Sequence, residues 1–296
     1  MTSTNVSVPN STQNGVLGDK TPVVVKVEIG DSISFCKTIE MFLSGAAPTT
    51  TSIPLTFDKD GITINEVREN KKKKTNLYMR ATFKRYDLFY YSYTHPTETS
   101  ITLKFEKSVM LDRIKTLKNK DVLGLTLKSG IQAMFLSINS KGEDKMPAII
   151  ESVSETTSNA NLNLASSMGA IAATSRQNYW DICQAAKRRS SCEAKVEIYS
   201  TGLRFFLSRY GERDGSPYDC GIINGERIGF YTLDSNIFGC VSNKILKIAN
   251  EHSTVKFYLT SATTTARAMF SYAISIGVSG NLTISCPVDT PTGHNV

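Results

Sequence analysis

The sequence predicts an α+β protein made of two tandem copies of one domain, and three observations carry that expectation. A strand, a tight Gly turn and a second strand are written twice, as TSIPLTFDKDGITINEV (Thr51 to Val67) and as AKVEIYSTGLRFFLSR (Ala194 to Arg209). Alternating β-branched and aromatic residues favour half-buried strands, and Gly61 or Gly202 can supply the positive φ that such a turn often demands. Four segments have helix-like spacing, two in each half: Ser32 to Gly45, Lys107 to Lys120, Ser175 to Ser190 and Ser235 to Asn250. The letters AMF recur at Ala133 to Phe135 and Ala268 to Phe270, 135 residues apart where the two glycines stand 141 apart. So long a period marks a duplicated domain rather than a solenoid unit.

Taken in order, PVVVKVEI (Pro22 to Ile29) reads as the first strand. Ser32 is placed to cap a helix that turns Phe35, Cys36, Ile39, Phe42 and Leu43 inward and Lys37 and Thr38 outward. The first Gly hairpin follows, then the basic loop ENKKKK and strands at Leu77 to Phe83 and Leu88 to Thr94. ITLKFEKS leads into a second helix that faces Met110, Leu111, Ile114 and Leu117 inward. DVLGLTL and QAMFLSI form another hairpin, and PAIIESV (Pro147 to Val153) closes the half. Residues 22–153 are therefore the first domain, behind a polar tail, 1–21, that is expected to be disordered. Residues 154–169, SETTSNANLNLASSMG, are polar and poor in charge, the composition of an inter-domain connector. The second domain, 170–288, repeats the order: a short strand near Ala170, a helix with Tyr179, Ile182, Cys183 and Ala186 inward, the hairpin, YDCGIIN, RIGFYTL, a helix, STVKFYL, ARAMFSYAI and NLTISCPV. A short tail, 289–296, remains. Each domain thus has about eight strands and two helices.

Composition narrows the function. With 296 residues and 40% hydrophobic content, the chain can bury a real core. No run approaches the roughly eighteen apolar residues of a membrane helix, and the first twenty lack a signal peptide's apolar centre, so an intracellular protein with no membrane partner is expected. Cys36, Cys183, Cys192, Cys220, Cys240 and Cys286 form no CxxC pair, and the three histidines stand far apart, so no metal is expected and the thiols read as reduced and buried. G-x-S-x-G, a phosphate-cradling Gly loop and H-E-x-x-H are all missing; nothing points to an enzyme or a cofactor. The net charge of +7 is concentrated on the four helical segments, which carry 0, +4, +3 and +2 in order and leave −2 for everything else. A basic helical surface on a near-neutral, strand-rich protein suggests a polyanionic partner.

These features, with the helix ISFCKTIEMF before DGITI, the helix WDICQAAK before STGLRF, and KIANEHSTVKFYL, resemble the DNA sliding clamps of the proliferating cell nuclear antigen family, as a divergent viral member. The likeness runs from about Pro22 to Pro287. It implies a pseudo-sixfold homotrimeric ring with strands outside and helices lining the hole, no cofactor, and a role as polymerase processivity factor in DNA replication and repair. Such a ring works at a replication site in the nucleus or in a cytoplasmic viral compartment. Its implied partners are double-stranded DNA, DNA polymerase and other replication proteins docked through short peptide motifs, a clamp loader, and its own copies. By position, the resemblance carries channel residues to Lys37, Arg113, Lys115, Arg176, Lys187, Lys244 and Lys247. The third helix departs from the family's arginines, having Asp181 and Gln184 instead. A partner-peptide pocket maps to Val67, Leu77, Leu162, Leu164, Cys286, Pro287 and Val288, and subunit closure to edge strands holding Ile149, Ile150, Cys220 and Ile222.

Plainer readings stand beside these. Each basic residue also fits a solvated helix face, Val67 and Leu77 also fit a core, and RENKKKK fits a charged turn as well as an import signal. An open monomeric or dimeric processivity factor that holds DNA by charge, or a clamp-shaped late transcription factor, would share the domain plan.

Overall fold

The computed structural model describes residues 21–43, 51–70, 75–118, 120–140, 143–153, 170–188, 192–209, 217–234, 236–239, 249, 253–260, 268–278 and 280–288. The first half runs β1 (Val23–Ile29), α1 (Ser32–Leu43), β2 (Ser52–Asp58), β3 (Gly61–Asn70), β4 (Thr75–Lys84), a 3-10 turn at Arg85–Asp87, β5 (Tyr90–Tyr93), β6 (Ser100–Glu106), α2 (Lys107–Ile114), β7 (Val122–Lys128), β8 (Ala133–Ser140) and β9 (Glu143–Glu151). The second runs β10 (Ala172–Ser175), α3 (Arg176–Arg188), β11 (Cys192–Ile198), β12 (Gly202–Arg209), β13 (Tyr218–Gly221), β14 (Gly229–Asp234), α4 (Asn236–Gly239), β15 (Thr254–Thr260), β16 (Met269–Ile276) and β17 (Gly280–Pro287). Element for element the plan repeats, except that β5 has no counterpart between β13 and β14, where 222–228 run as coil.

Among the described residues the strands form three antiparallel sheets: β5-β1-β7-β8-β9, β10-β15-β16-β17-β4-β3-β2-β6, and β13-β12-β11-β14. The eight-stranded sheet takes four strands from each half and is joined where β17 pairs β4, from Gly280 opposite Phe83 to Ser285 opposite Tyr78. Period-two alternation sorts its faces. Met79, Ala81, Phe83, Phe270, Tyr272, Ile274, Leu282 and Ile284 are buried in the core, while Arg80, Thr82, Ala273, Ser275, Asn281 and Thr283 occupy the opposite face. Ser271 and Ser285 lie buried in that opposite set, satisfying each other at 2.7 Å between hydroxyls.

Each half packs its helices as a pair, α1 against α2 and α3 against α4. In the second half the core is a ring cluster: Tyr179 of α3 lies 5.1 Å from Tyr272 and 6.3 Å from Phe257, and Phe205 lies 5.4 Å from both Phe238 and Phe257. Tilted and edge-on rings of this kind add to the apolar burial that α3 obtains from Ile182, Cys183 and Ala186. The Tyr272 hydroxyl donates to the Ile237 carbonyl at 2.6 Å, so the buried phenol is satisfied at the end of α4's turn.

Three expectations need correction. Thr38 does not face outward: its hydroxyl donates back to the Ser34 carbonyl at 2.8 Å, which lets it sit buried in α1. Helix α2 stops at Ile114 because Asp121 accepts from the Lys118 backbone N–H at 2.8 Å, organising a turn in which Lys120 takes a φ of 141°. Gly61 does adopt a positive φ, 141°, but Gly202 does not; Gly202 is required by crowding, since a Cβ there would stand 2.6 Å from the Ile222 carbonyl oxygen.

The β1-to-α1 turn is tied across the molecule. One Asp31 carboxylate oxygen accepts from the Ser34 N–H at 3.2 Å, capping α1, and the other accepts from the Val278 N–H at 3.1 Å in the β16–β17 turn. Replacing Phe257 by Ala should cost about 3–5 kcal/mol of unfolding free energy in urea titrations, because it empties the centre of the ring cluster. Asp31→Ala should cost about 1–2 kcal/mol, through a lost cap and a lost link between halves.

Candidate nucleic-acid interface and assembly edges

The least covered side of α1 is a narrow, half-buried strip of Ile33, Lys37 and Glu40, because the rest of its circumference is buried. Lys37 there is paired with Glu40, 3.0 Å to Oε1 and 3.1 Å to Oε2. Arg113 on α2 is exposed, as are Lys115, Lys118 and Lys120 just beyond it; Lys115 pairs with Asp112, whose carboxyl is held below its usual range by that ammonium. On α3 the exposed residues are Gln177, Asp181, Lys187 and Arg188, and Gln177 donates to Asp181 at 3.1 Å. Arg176, in contrast, is half-buried and donates to the Ala249 carbonyl at 2.8 Å, clamping the end of the segment that follows α4. Lys244 and Lys247 lie outside the described residues.

Of the residues assigned to a partner pocket, Val67 is exposed and Leu77 is half-buried against the core. Pro287 is half-buried opposite Met269, while Cys286 and Val288 are core residues, because Cys286 points inward on β17 opposite Phe270. Leu162 and Leu164 lie outside the described residues. The connector's ends are anchored at opposite edges of the eight-stranded sheet: the Val153 N–H donates to the Lys104 carbonyl on β6 at 2.8 Å, and the Ile171 N–H to the Phe257 carbonyl on β15, beside β10, at 2.9 Å. Between those anchors the open face of the sheet forms a groove of about 710 Å³, lined by Arg80, Thr82, Lys84, Lys256, Asn281 and Thr283 among others.

The assigned assembly residues divide by strand parity. Ile149 and Ile222 are 50% and 64% exposed, whereas Ile150 and Cys220 are buried in the core. Ile149 belongs to β9, the edge of the five-stranded sheet, and Ile222 directly follows β13, the edge of the four-stranded sheet. Beside it Arg204 holds Asp219 in a two-pronged ion pair, 2.7 and 3.0 Å, which keeps the Asp219 carboxyl below its usual range.

Not anticipated from the sequence are the exposed rings of Tyr86 (80% exposed), Phe89 (77%) and Tyr90, with Phe89 beside Gly30, and the exposed Val278 (85%) of the β16–β17 turn. Arg85 lies over the Tyr86 ring at 4.5 Å and Lys26 over Tyr90 at 5.5 Å. Phe89 and Tyr90 fall in the stretch Leu88 to Thr94, which reads as an ordinary strand by pattern alone. Among the described residues no set of three His, Cys, Asp or Glu is placed to hold a metal ion, and no helix is long and apolar enough to cross a membrane.

Burial pushes the Cys36 and Cys220 thiols up to about 12 from the free thiol's 9.0. Both should therefore resist alkylation at about pH 8.5 in the native protein and react once it is unfolded, as peptide mapping would show. Since the unfolded thiols lose protons first, stability should fall as pH rises through 9.0.

No family model and no curated protein matches the sequence. Solved structures do match. The crystal structure of the proliferating cellular nuclear antigen from Entamoeba histolytica superposes with a TM-score of 0.66 at 11% identity, covering 90% of this chain and 100% of that one. The PCNA2-PCNA3 complex from Sulfolobus tokodaii gives 0.61 at 13% identity, covering 89% and 98%. Over nearly its whole length the chain therefore has the two-domain fold of the sliding clamps.

Proposed function

We propose that this protein is a DNA polymerase processivity factor, a sliding clamp that closes as a homotrimer around duplex DNA and tethers replication enzymes. The observation that carries this reading is the way the chain joins its own halves. Inside the chain, the last strand of the second half, β17, pairs the fourth strand of the first half, β4. The corresponding strands of the other kind, β9 ending the first half and β13 standing fourth in the second, both stand at sheet edges, each with an exposed isoleucine in it or directly after it. Pairing β9 of one copy with β13 of the next repeats the internal joint between subunits. It merges sheets of five and four strands into one of nine, close in size to the internal eight. Head-to-tail repetition of one joint generates a closed ring when its rotation closes, and closure leaves neither edge exposed.

Within such a ring Arg113, Lys115, Lys187 and the residues at Lys244 and Lys247 attract phosphates without reading bases, so retention is topological and the ring slides. Short peptides from polymerase and other replication proteins dock near Val67, Leu77 and Pro287, beside a connector long enough to span the sheet between its two anchors. Seven strand spacings of about 4.8 Å are well within the reach of the sixteen-residue connector at about 3.3 Å per residue.

Sedimentation equilibrium should report a trimer, and Ile149→Lys or Ile222→Lys should yield folded monomers with unchanged circular dichroism. Protein loaded on nicked circular DNA should be released when the circle is cut. A wild-type monomer that binds linear DNA tightly at low salt would instead support the open, charge-held processivity factor.

A further inference from the structure

The two halves place residues of opposite charge at one equivalent site. The buried faces of the first helix in each half superimpose in sequence with a constant offset: Phe35 and Tyr179, Ile39 and Cys183, and Phe42 and Ala186 are each 144 residues apart and all buried. The same offset sets Lys37 opposite Asp181 and Glu40 opposite Gln184 on the outward strips. In α1 the strip is self-neutralised by the Lys37–Glu40 pair. In α3 the strip has Asp181 at its centre, exposed, with Gln177 donating to it at 3.1 Å. A neutral amide leaves the full negative charge in place. Arg176, the cation at the start of α3, is turned away to the Ala249 carbonyl, and Lys187 and Arg188 stand only at the helix's far end.

We infer that Asp181 is a repulsive element of the DNA-facing surface, which confines phosphate contact on these described helices to the end of α2 and the α3 C-terminus. This rests on the clamp reading above. On that reading, the first helices contribute a neutral strip and an anionic one. The tracking charge comes from the α2 end, where Arg113, Lys118 and Lys120 are exposed beside the Lys115–Asp112 pair, so that the net charge there stays positive. A carboxylate facing a phosphate chain opposes contact wherever the duplex approaches, and so limits how many phosphates one subunit can neutralise. The duplex is thereby kept off part of the wall, a placement that favours loose travel over a tight grip.

The test uses the full-length protein and a blunt linear duplex of about 30 base pairs, with affinity measured by fluorescence anisotropy as salt is raised from about 50 mM. Asp181→Asn should raise affinity several-fold at the lowest salt. Asp181→Lys should also steepen the plot of log affinity against log salt, by about 0.9 for each phosphate newly engaged. Arg113→Gln with Lys115→Gln should flatten the same plot by up to about 1.8. Gln177→Ala removes the amide that bonds Asp181 while keeping the charge, and should leave the slope unchanged. If both Asp181 variants match or fall below wild type while the Arg113/Lys115 variant flattens the plot, Asp181 does not face DNA and the inference is wrong, though the clamp reading stands. If the Arg113/Lys115 variant also leaves binding unmoved, the assignment of the helices to DNA fails with it.

Discussion

The rest of the structure depends on the backbone pairing of β17 with β4. A sheet edge presents unpaired N–H and C=O groups that must be bonded, covered or left in water, and this chain bonds two of its edges to each other across its own duplication. That one ladder turns two domains into a single eight-stranded surface and fixes how each half is oriented. It also supplies, within one molecule, a worked example of the joint that the proposed ring repeats between molecules. In the adjacent β16–β17 ladder, Ser271 and Ser285 satisfy each other's hydroxyls, which lets both sit buried.

Around that ladder the two halves reach stability by different means. The second half relies on a dense aromatic cluster centred on Phe205, Phe257 and Tyr272, with α3 laid over it through Tyr179. The first half keeps mainly aliphatic contacts, with Phe35 against Phe83 at 5.0 Å, and adds polar ties: Ser32 donates to the Asp121 carbonyl at 2.7 Å and Arg68 to the Met41 carbonyl at 3.0 Å. The Tyr91 hydroxyl donates to the Asp58 carbonyl at 2.5 Å and to that of Gly61 at 2.8 Å, tying β5 to the first Gly hairpin. Duplication therefore conserved the path of the backbone while the side chains inside it diverged, including the outward strips where Lys37 and Asp181 now differ in sign.

Much of this was legible in the residues. The helices' inward faces, Phe35-Ile39-Phe42 and Tyr179-Ile182-Cys183-Ala186, follow from spacing, and the strands follow from alternation. Spacing failed at Thr38, because a hydroxyl that bonds its own helix behaves as an apolar group, and at the end of α2, where the Asp121 carboxylate organises the turn just beyond the helix. Naming adjacent residues as joint members of a surface failed for Ile149 with Ile150 and for Cys286 with Pro287, since neighbours on a strand face opposite ways. The β17–β4 joint left no local trace, because register between strands so far apart is set by which edges meet. The exposed rings at Tyr86 and Phe89 were hidden for a related reason: apolar composition says nothing about which side of a turn meets water.

The link from Asp31 to Val278 closes a loop of 247 residues, and β17 lies nearly as far beyond β4. A ribosome delivering the chain from its amino end releases the first half with β4 still unmatched, and that edge must wait for the final strand to emerge. During this interval the nascent molecule carries adhesive backbone that the finished one conceals, so its birth is slower and more exposed to mispairing than local contacts alone would require.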